Sequence, residues 1–198
     1  LWGDIPLWLN VPDENNVNKA LSPSKEVYAQ IIADATLASQ LITDENATVG
    51  YPKGYAANML LAKVYMTLAT SPSLQEDGKS EMDYWNLAYD EAKKVEGQYA
   101  LVSDYATLFD GKNENTSESI FELQISKDAA NSQMGRNYTP WKYKAGQAFG
   151  WFNVAADVYD AHAATYPSDP RLASTYLHDY TRIDNGSPVR VYPTNASR

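Results

Sequence analysis

Residues 134–152 bring Trp141, Tyr143, Tyr138 and Trp151 into one stretch with Arg136, Asn137, Lys142 and Gln147. Flat apolar rings set among planar or charged hydrogen-bonding groups suit a sugar, which presents C–H faces edged by hydroxyls. In that reading the four rings are stacking platforms, and the guanidinium, ammonium and carboxamides are donors and acceptors. The chain as a whole holds 15 Tyr, 5 Trp and 4 Phe, an excess of Tyr that suggests rings with hydroxyls facing water or ligand. Amphipathic packing at helix edges competes for the same residues. Trp151 and Phe152 stand where a helix is predicted to open, so anchoring it in a core is their alternative role. Trp141 lies in a loop containing Gly and Lys and is harder to bury.

Other chemistries find less support. A glycosidase needs two carboxylates about 5–9.5 Å apart across a cleft. Asp157 and Asp160 share a predicted helix face and Glu118 and Glu122 flank a predicted strand, but helix-surface acids are ordinarily solvated, and no catalytic residue is assigned. His162 and His178 lack a third partner at metal-ligand spacing, so neither a metal nor another cofactor is expected. With 0 Cys, disulfides and thiol catalysis are excluded. A formal net charge of -9 repels phosphate backbones and argues against nucleic acid as a partner. No apolar run approaches the ~20 residues that span a bilayer.

The elements that must position these residues are mostly helical. Residues 1–21 are irregular. Ser22 is the expected cap of a first helix, Pro23 its first residue, and Glu26 sits favourably in its first turn. Val27, Tyr28, Ile31, Ile32, Ala35, Ala38, Leu41 and Ile42 then recur at helical spacing. A second helix spans about 55–70, with Ala56, Ala57, Leu60, Leu61, Val64, Tyr65, Leu68 and Ala69 apolar. A third spans about 81–96, with Trp85, Ala88, Tyr89, Ala92 and Val95 inward and Gly97 as its stop. Helix starts near 24, 53 and 81 suggest tetratricopeptide-like hairpins. A short helical turn at 104–109, a polar loop at 111–117 and a half-buried strand at 118–125 follow. The long loop 126–150 has the length of a functional one. A fourth helix at about 153–165 precedes two strand-like pieces, 172–183 and 189–192, split by Asn185-Gly186. The expected fold is mainly α: a helical scaffold over 1–117 and a loop-rich part with short strands and one helix over 118–198, forming one continuous domain.

Five motifs recur in a familiar order. They are Gly3-Asp4-Ile5-Pro6-Leu7 before the first helix; Leu61-Ala62-Lys63-Val64-Tyr65-Met66 closing the alanine-rich second helix; Ala92, Gly97, Tyr99 and Leu101 after the third; Tyr105 to Phe109 with Asn115 and Glu118-Ser119-Ile120-Phe121-Glu122-Leu123; and Asp169-Pro170-Arg171. In this order the chain resembles the SusD/RagB family of outer-membrane nutrient-binding lipoproteins, over essentially its whole length. Lys63 stands where Arg is commoner. The resemblance implies a SusD-like fold. It also implies an outward-facing lipoprotein of a Gram-negative outer membrane, held by an N-terminal lipid anchor absent from this chain. Such a protein binds oligosaccharides or other nutrients without catalysis and delivers them to a TonB-dependent, SusC-like transporter. It further implies that the segment after the Phe121-Glu122 strand belongs to the ligand face, the region of Arg136, Asn137, Tyr138, Trp141, Tyr143 and Trp151. The chain opens at Leu1 without an initiator Met or signal core and reads as an internal fragment. A helical-repeat module for protein–protein interaction is the alternative, and a glycoside hydrolase a more distant one.

Overall fold

A carboxylate far upstream starts the first helix. In the computed structural model, which describes residues 3–12, 14, 17–43, 48–125, 134–143, 148–182 and 185–190, Asp4 Oδ1 accepts from the Ser24 backbone N–H at 2.8 Å and from the Ser24 hydroxyl at 2.9 Å. Helix α1 then runs Ser24–Leu41. Ser22, the expected cap, does not cap it. Ser22 is committed to a two-way backbone bridge with Ile5, its N–H reaching Ile5 O at 2.8 Å and its carbonyl accepting from Ile5 N–H at 3.3 Å. Pro23 offers no side-chain acceptor, so the Ser24 amide at the helix start falls to Asp4.

Helix α2 (Gly54–Ala69) packs against both α1 and α3 (Glu81–Val95). Being flanked on two sides explains why Ala57, Leu61, Ala62, Val64, Tyr65, Leu68 and Ala69 are all buried. With Ala35 of α1 and Tyr84 and Ala88 of α3 the larger of these form one cluster, ringed by Tyr28, Ile31, Ile32, Leu74, Trp85 and Leu87. Burying a leucine as fully as Leu61, 1% exposed, contributes about 1.5–3 kcal/mol. Asn58 is also buried, and its Nδ2 donates to Glu91 Oε2 at 2.8 Å while Lys94 Nζ holds the other Glu91 oxygen at 2.8 Å. That chain of partners relieves the cost of a buried carboxamide.

The inward face of α3 agrees with the expectation at Ala88 and Val95 and differs elsewhere. Tyr84, Ala88 and Val95 are buried, whereas Tyr89 is 64% exposed and Trp85 lies at the margin, donating Nε1 to Glu81 Oε1 at 3.0 Å. Tyr84 can be wholly buried because its hydroxyl accepts from the Glu76 backbone N–H at 2.8 Å, satisfying the one polar atom of the ring. Ser80 and Asp83 form a capping box at the start of α3. The Ser80 backbone N–H, and then its hydroxyl, hold the Asp83 carboxyl below its usual range. Leu41 and Leu60, both in the apolar patterns of their helices, are 69% and 47% exposed.

The chain divides into two compact units, Leu1–Leu101 with Ser117–Glu122, and Val102–Thr116 with Leu123–Arg198. Ser117 is tied to the first by two bonds with Ala100, N–H to carbonyl at 3.1 Å and hydroxyl to carbonyl at 3.0 Å. The strand expected over 118–125 does not form: no ladder pairs it, and Phe121, Leu123 and Ile125 are 49%, 78% and 50% exposed. Alternation sets which side chains share a face, but a strand also needs a neighbour to take its backbone hydrogen bonds.

The second unit contains the 3₁₀ turn Tyr105–Phe109 where the sequence indicates one. It continues with α4 (Met134–Tyr138), α5 (Ala156–Thr165), α6 (Arg171–Thr175) and an antiparallel hairpin, β1 (Asp179–Thr181) and β2 (Pro188–Arg190). Helix α4 falls inside the expected loop 126–150, and α5 starts three residues later than predicted, at Ala156. The expected strand 172–183 is helical at its start, because Asp169 Oδ1 accepts from the Arg171 N–H at 2.9 Å and initiates a turn there. Among the described residues of that stretch, strand structure is confined to Asp179–Thr181. At the hairpin turn Gly186 adopts φ 69°, a left-handed conformation natural to glycine. The fold is mainly α, a set of helical hairpins followed by a loop-rich part with two short strands. No helix among the described residues is long and apolar enough to cross a membrane.

Candidate functional site

Helix α4 carries Arg136, Asn137 and Tyr138, and a turn after it carries Trp141, Lys142 and Tyr143, closed by the Tyr143 N–H to Pro140 O bond at 3.1 Å. The carbonyls at the end of so short a helix need partners. Residues 149–152 supply them: Phe149 N–H donates to Arg136 O at 2.8 Å, Gly150 N–H to the same oxygen at 3.4 Å, and Phe152 N–H to Asn137 O at 3.2 Å. Two stretches far apart in the predicted loop are thereby laid side by side. Gly150 is required for this. It adopts φ 60°, and a Cβ there would stand 3.1 Å from the Trp141 backbone nitrogen. Lys142 also adopts a left-handed φ, 58°, which costs a non-glycine residue about 1–3 kcal/mol.

The rings gathered here face outward. Phe149 and Trp151 stack at 4.9 Å between centroids with 21° between planes, and Tyr138 lies 5.3 Å from Phe152. Trp151, Tyr138, Phe152 and Trp141 are 67%, 61%, 53% and 51% exposed, so Trp151 and Phe152 do not anchor a core. Asn137 Oδ1 is buried without a hydrogen-bond donor among the described residues. Gln147, the remaining candidate, lies outside the described residues.

The hairpin adds two residues that the sequence reading did not assign. Tyr180 donates its hydroxyl to the Trp141 carbonyl at 2.9 Å and meets Tyr143 edge-on at 5.6 Å. The Arg182 guanidinium carbon lies 4.6 Å from the Trp141 ring centroid, and Lys142 Nζ lies 4.2 Å from it. Each such contact is worth about 0.5–1 kcal/mol at an exposed site. The indole expected to be an open platform is thus already bordered by two cations. Tyr180 lies in β1 and Arg182 just past its end, within the strand-like stretch 172–183 that the sequence indicates, which is the signal that could have found them.

The acids and histidines do other work. Asp169 receives the Arg171 side chain through Nε at 2.9 Å to both oxygens and through Nη2, and it also holds His162 Nε2 at 3.1 Å. The Arg171 side chain, then its backbone N–H, then His162, pull the Asp169 carboxyl far below the usual range. His162 Nδ1 meets the Tyr176 hydroxyl at 3.2 Å. The Asp-Pro-Arg motif is therefore a hub tying α5 to α6. Asp157 Oδ1 is engaged by the Val158 N–H at 3.1 Å. No group of three or more His, Cys, Asp or Glu among the described residues could hold a metal ion.

No family model matches the chain, and no curated protein does. Among solved structures it is similar to a SusD superfamily protein from Bacteroides fragilis, with a TM-score of 0.62 and 18% sequence identity over 96% of this chain. The chain spans 43% of the length of that protein's chain. At this identity the likeness is one of fold.

Proposed function

The chain has a SusD-like fold, and on that premise we propose that it is a non-catalytic binding module for oligosaccharide nutrients. Arg136, Asn137, Tyr138, Trp141, Tyr143 and Trp151 form its ligand surface. The observation that carries this reading is the set of half-exposed rings around Trp141 and Trp151, drawn together by backbone bonds from 149–152 to the end of α4. Exposed stacked rings offer faces for sugar C–H groups, while Lys142, Arg182 and Arg136 offer charged donors to ring hydroxyls. A sugar seated at Trp141 meets Lys142 and Arg182 first, so they act as hydrogen-bonding rims to the platform. The helices α1–α3 serve as scaffold and as the surface facing a TonB-dependent, SusC-like transporter. A longer chain carries this module, lipid-anchored, on the outer face of a Gram-negative outer membrane.

The test is a tryptophan-fluorescence titration with calorimetric confirmation against plant, host and microbial glycans, using the unaltered chain and Trp141→Ala. The reading predicts saturable binding with no shortened product, and at least a tenfold loss in the variant, about 1.4 kcal/mol. Unchanged affinity in the variant would remove the site, and release of product would remove the non-catalytic reading.

A further inference from the structure

The segment between Ile5 and Ser22 leaves and returns to one point, its neck closed by the two backbone bonds of the Ile5–Ser22 bridge. Inside that neck Lys19 makes a second closure: its Nζ donates to the Leu7 carbonyl at 2.5 Å and stands 5.3 Å from the Trp8 ring centroid. A surface loop of this length with joined ends is a common carrier of function. It holds an open cleft of about 400 Å³ lined by Trp8, Leu9, Asn10, Asn18 and Lys19. That volume lies in the range of small-molecule sites.

The lining groups define the ligand. Trp8 and Leu9 give an apolar floor. Asn10 and Asn18 each present a carboxamide that donates and accepts. Lys19 brings a positive charge, and no carboxylate of the described residues pairs with it. One of its three protons is spent on Leu7 O, leaving two to donate. In a chain of net charge -9, a single ammonium matches a single ligand carboxylate, whereas a polyphosphate or a long polyanion would meet general repulsion. From this cleft we infer a second binding site, specific for an acidic sugar: the uronic-acid carboxylate pairs with Lys19, the ring lies on Trp8, and ring hydroxyls bond to Asn10 and Asn18. The site shares only a class of ligand with the Trp141 surface and stands or falls separately from it.

The experiment titrates the whole chain with trimers in which one sugar is galacturonate, glucuronate or mannuronate and the other two are neutral, each beside its neutral methyl ester. Proteins compared are the unaltered chain, Lys19→Met, Lys19→Arg, Trp8→Ala and Trp141→Ala, each checked for helical content by circular dichroism. At least one acid trimer is expected to bind at least tenfold more tightly than its ester, and to weaken as salt rises from 50 to 500 mM. Lys19→Met should abolish that preference, Lys19→Arg should retain it, and Trp141→Ala should leave it unchanged. The inference is overturned if no acid trimer binds, if esters bind equally well, or if Lys19→Met changes nothing. Loss on Trp141→Ala alone would assign the binding to the other surface. Because Lys19 is exposed on a loop, its variants decide the question even if Trp8→Ala fails to fold.

Discussion

The two units of the chain use their aromatic residues in opposite ways. In the first, Tyr84 and Tyr65 are buried in the α1–α3 cluster, 6.5 Å apart between ring centroids, together with Leu61, Val64 and Leu68 and with Tyr28 and Trp85 packed at its edge. In the second, Ala148 alone among the described residues reaches the same degree of burial, and rings pair with rings near the surface: Phe149 with Trp151, Tyr138 with Phe152, Tyr159 with Tyr176. Aliphatic burial supplies most of the stability of a domain. Surface rings contribute less to it and keep faces that a ligand can use. The difference is one of packing, with buried apolar side chains concentrated in α2 and its neighbours and exposed, paired rings in the loop-rich part.

The largest effect that would sharpen this contrast is Leu61→Ala. It opens a cavity in the α2 core and should cost about 2–5 kcal/mol, read as a lowered denaturant midpoint of the helical signal. The counterpart is Trp141→Ala, expected to reduce glycan affinity at least tenfold while moving the same midpoint by under about 1 kcal/mol. If Trp141→Ala proved as destabilising as Leu61→Ala, the contrast would break. Ser80→Ala removes one half of the α3 capping box and should cost about 1 kcal/mol without altering glycan affinity. A graded effect is expected in acid. The Asp169 carboxyl ionises more readily in the folded chain than in the unfolded one. Its stabilisation is therefore complete above the ordinary carboxylate range, about pH 4, and fades as pH falls below it. Thermal melts followed by near-ultraviolet dichroism should show that acid loss in the unaltered chain. Asp169→Asn should flatten this part of the profile.

Much of the helical architecture was legible because periodicity reports burial directly. Leu61, Val64, Tyr65 and Leu68 lie on the face that the pattern of α2 predicts. The misreadings have physical causes. Tyr84 is inward in place of Tyr89 because a backbone amide at Glu76, beyond the helix, satisfies its hydroxyl, a long-range fact that periodicity does not contain. Ser22 lost its capping role to Asp4 because its backbone is taken by Ile5, and Asp4, twenty residues upstream of Ser24, reaches the helix start. The alternation in 118–125 predicted a buried apolar face, yet Phe121, Leu123 and Ile125 are exposed, because alternation carries no information about whether a pairing strand is present. At the candidate site, residue types brought attention to 136–151, yet the cations around Trp141 come from its own neighbour Lys142 and from Arg182, just past β1. Arg182 is 41 positions from Trp141 by the sequence numbering, and only the hairpin brings them together.

The most direct measurement is amide hydrogen exchange on the whole chain, with and without a saturating glycan identified in the titration panel. The account predicts protection of the backbone amides of 136–143 and 149–152, with α1–α3 unchanged. Protection concentrated on α1–α3, with 136–152 unaffected, would contradict it and favour a binding groove on the helices.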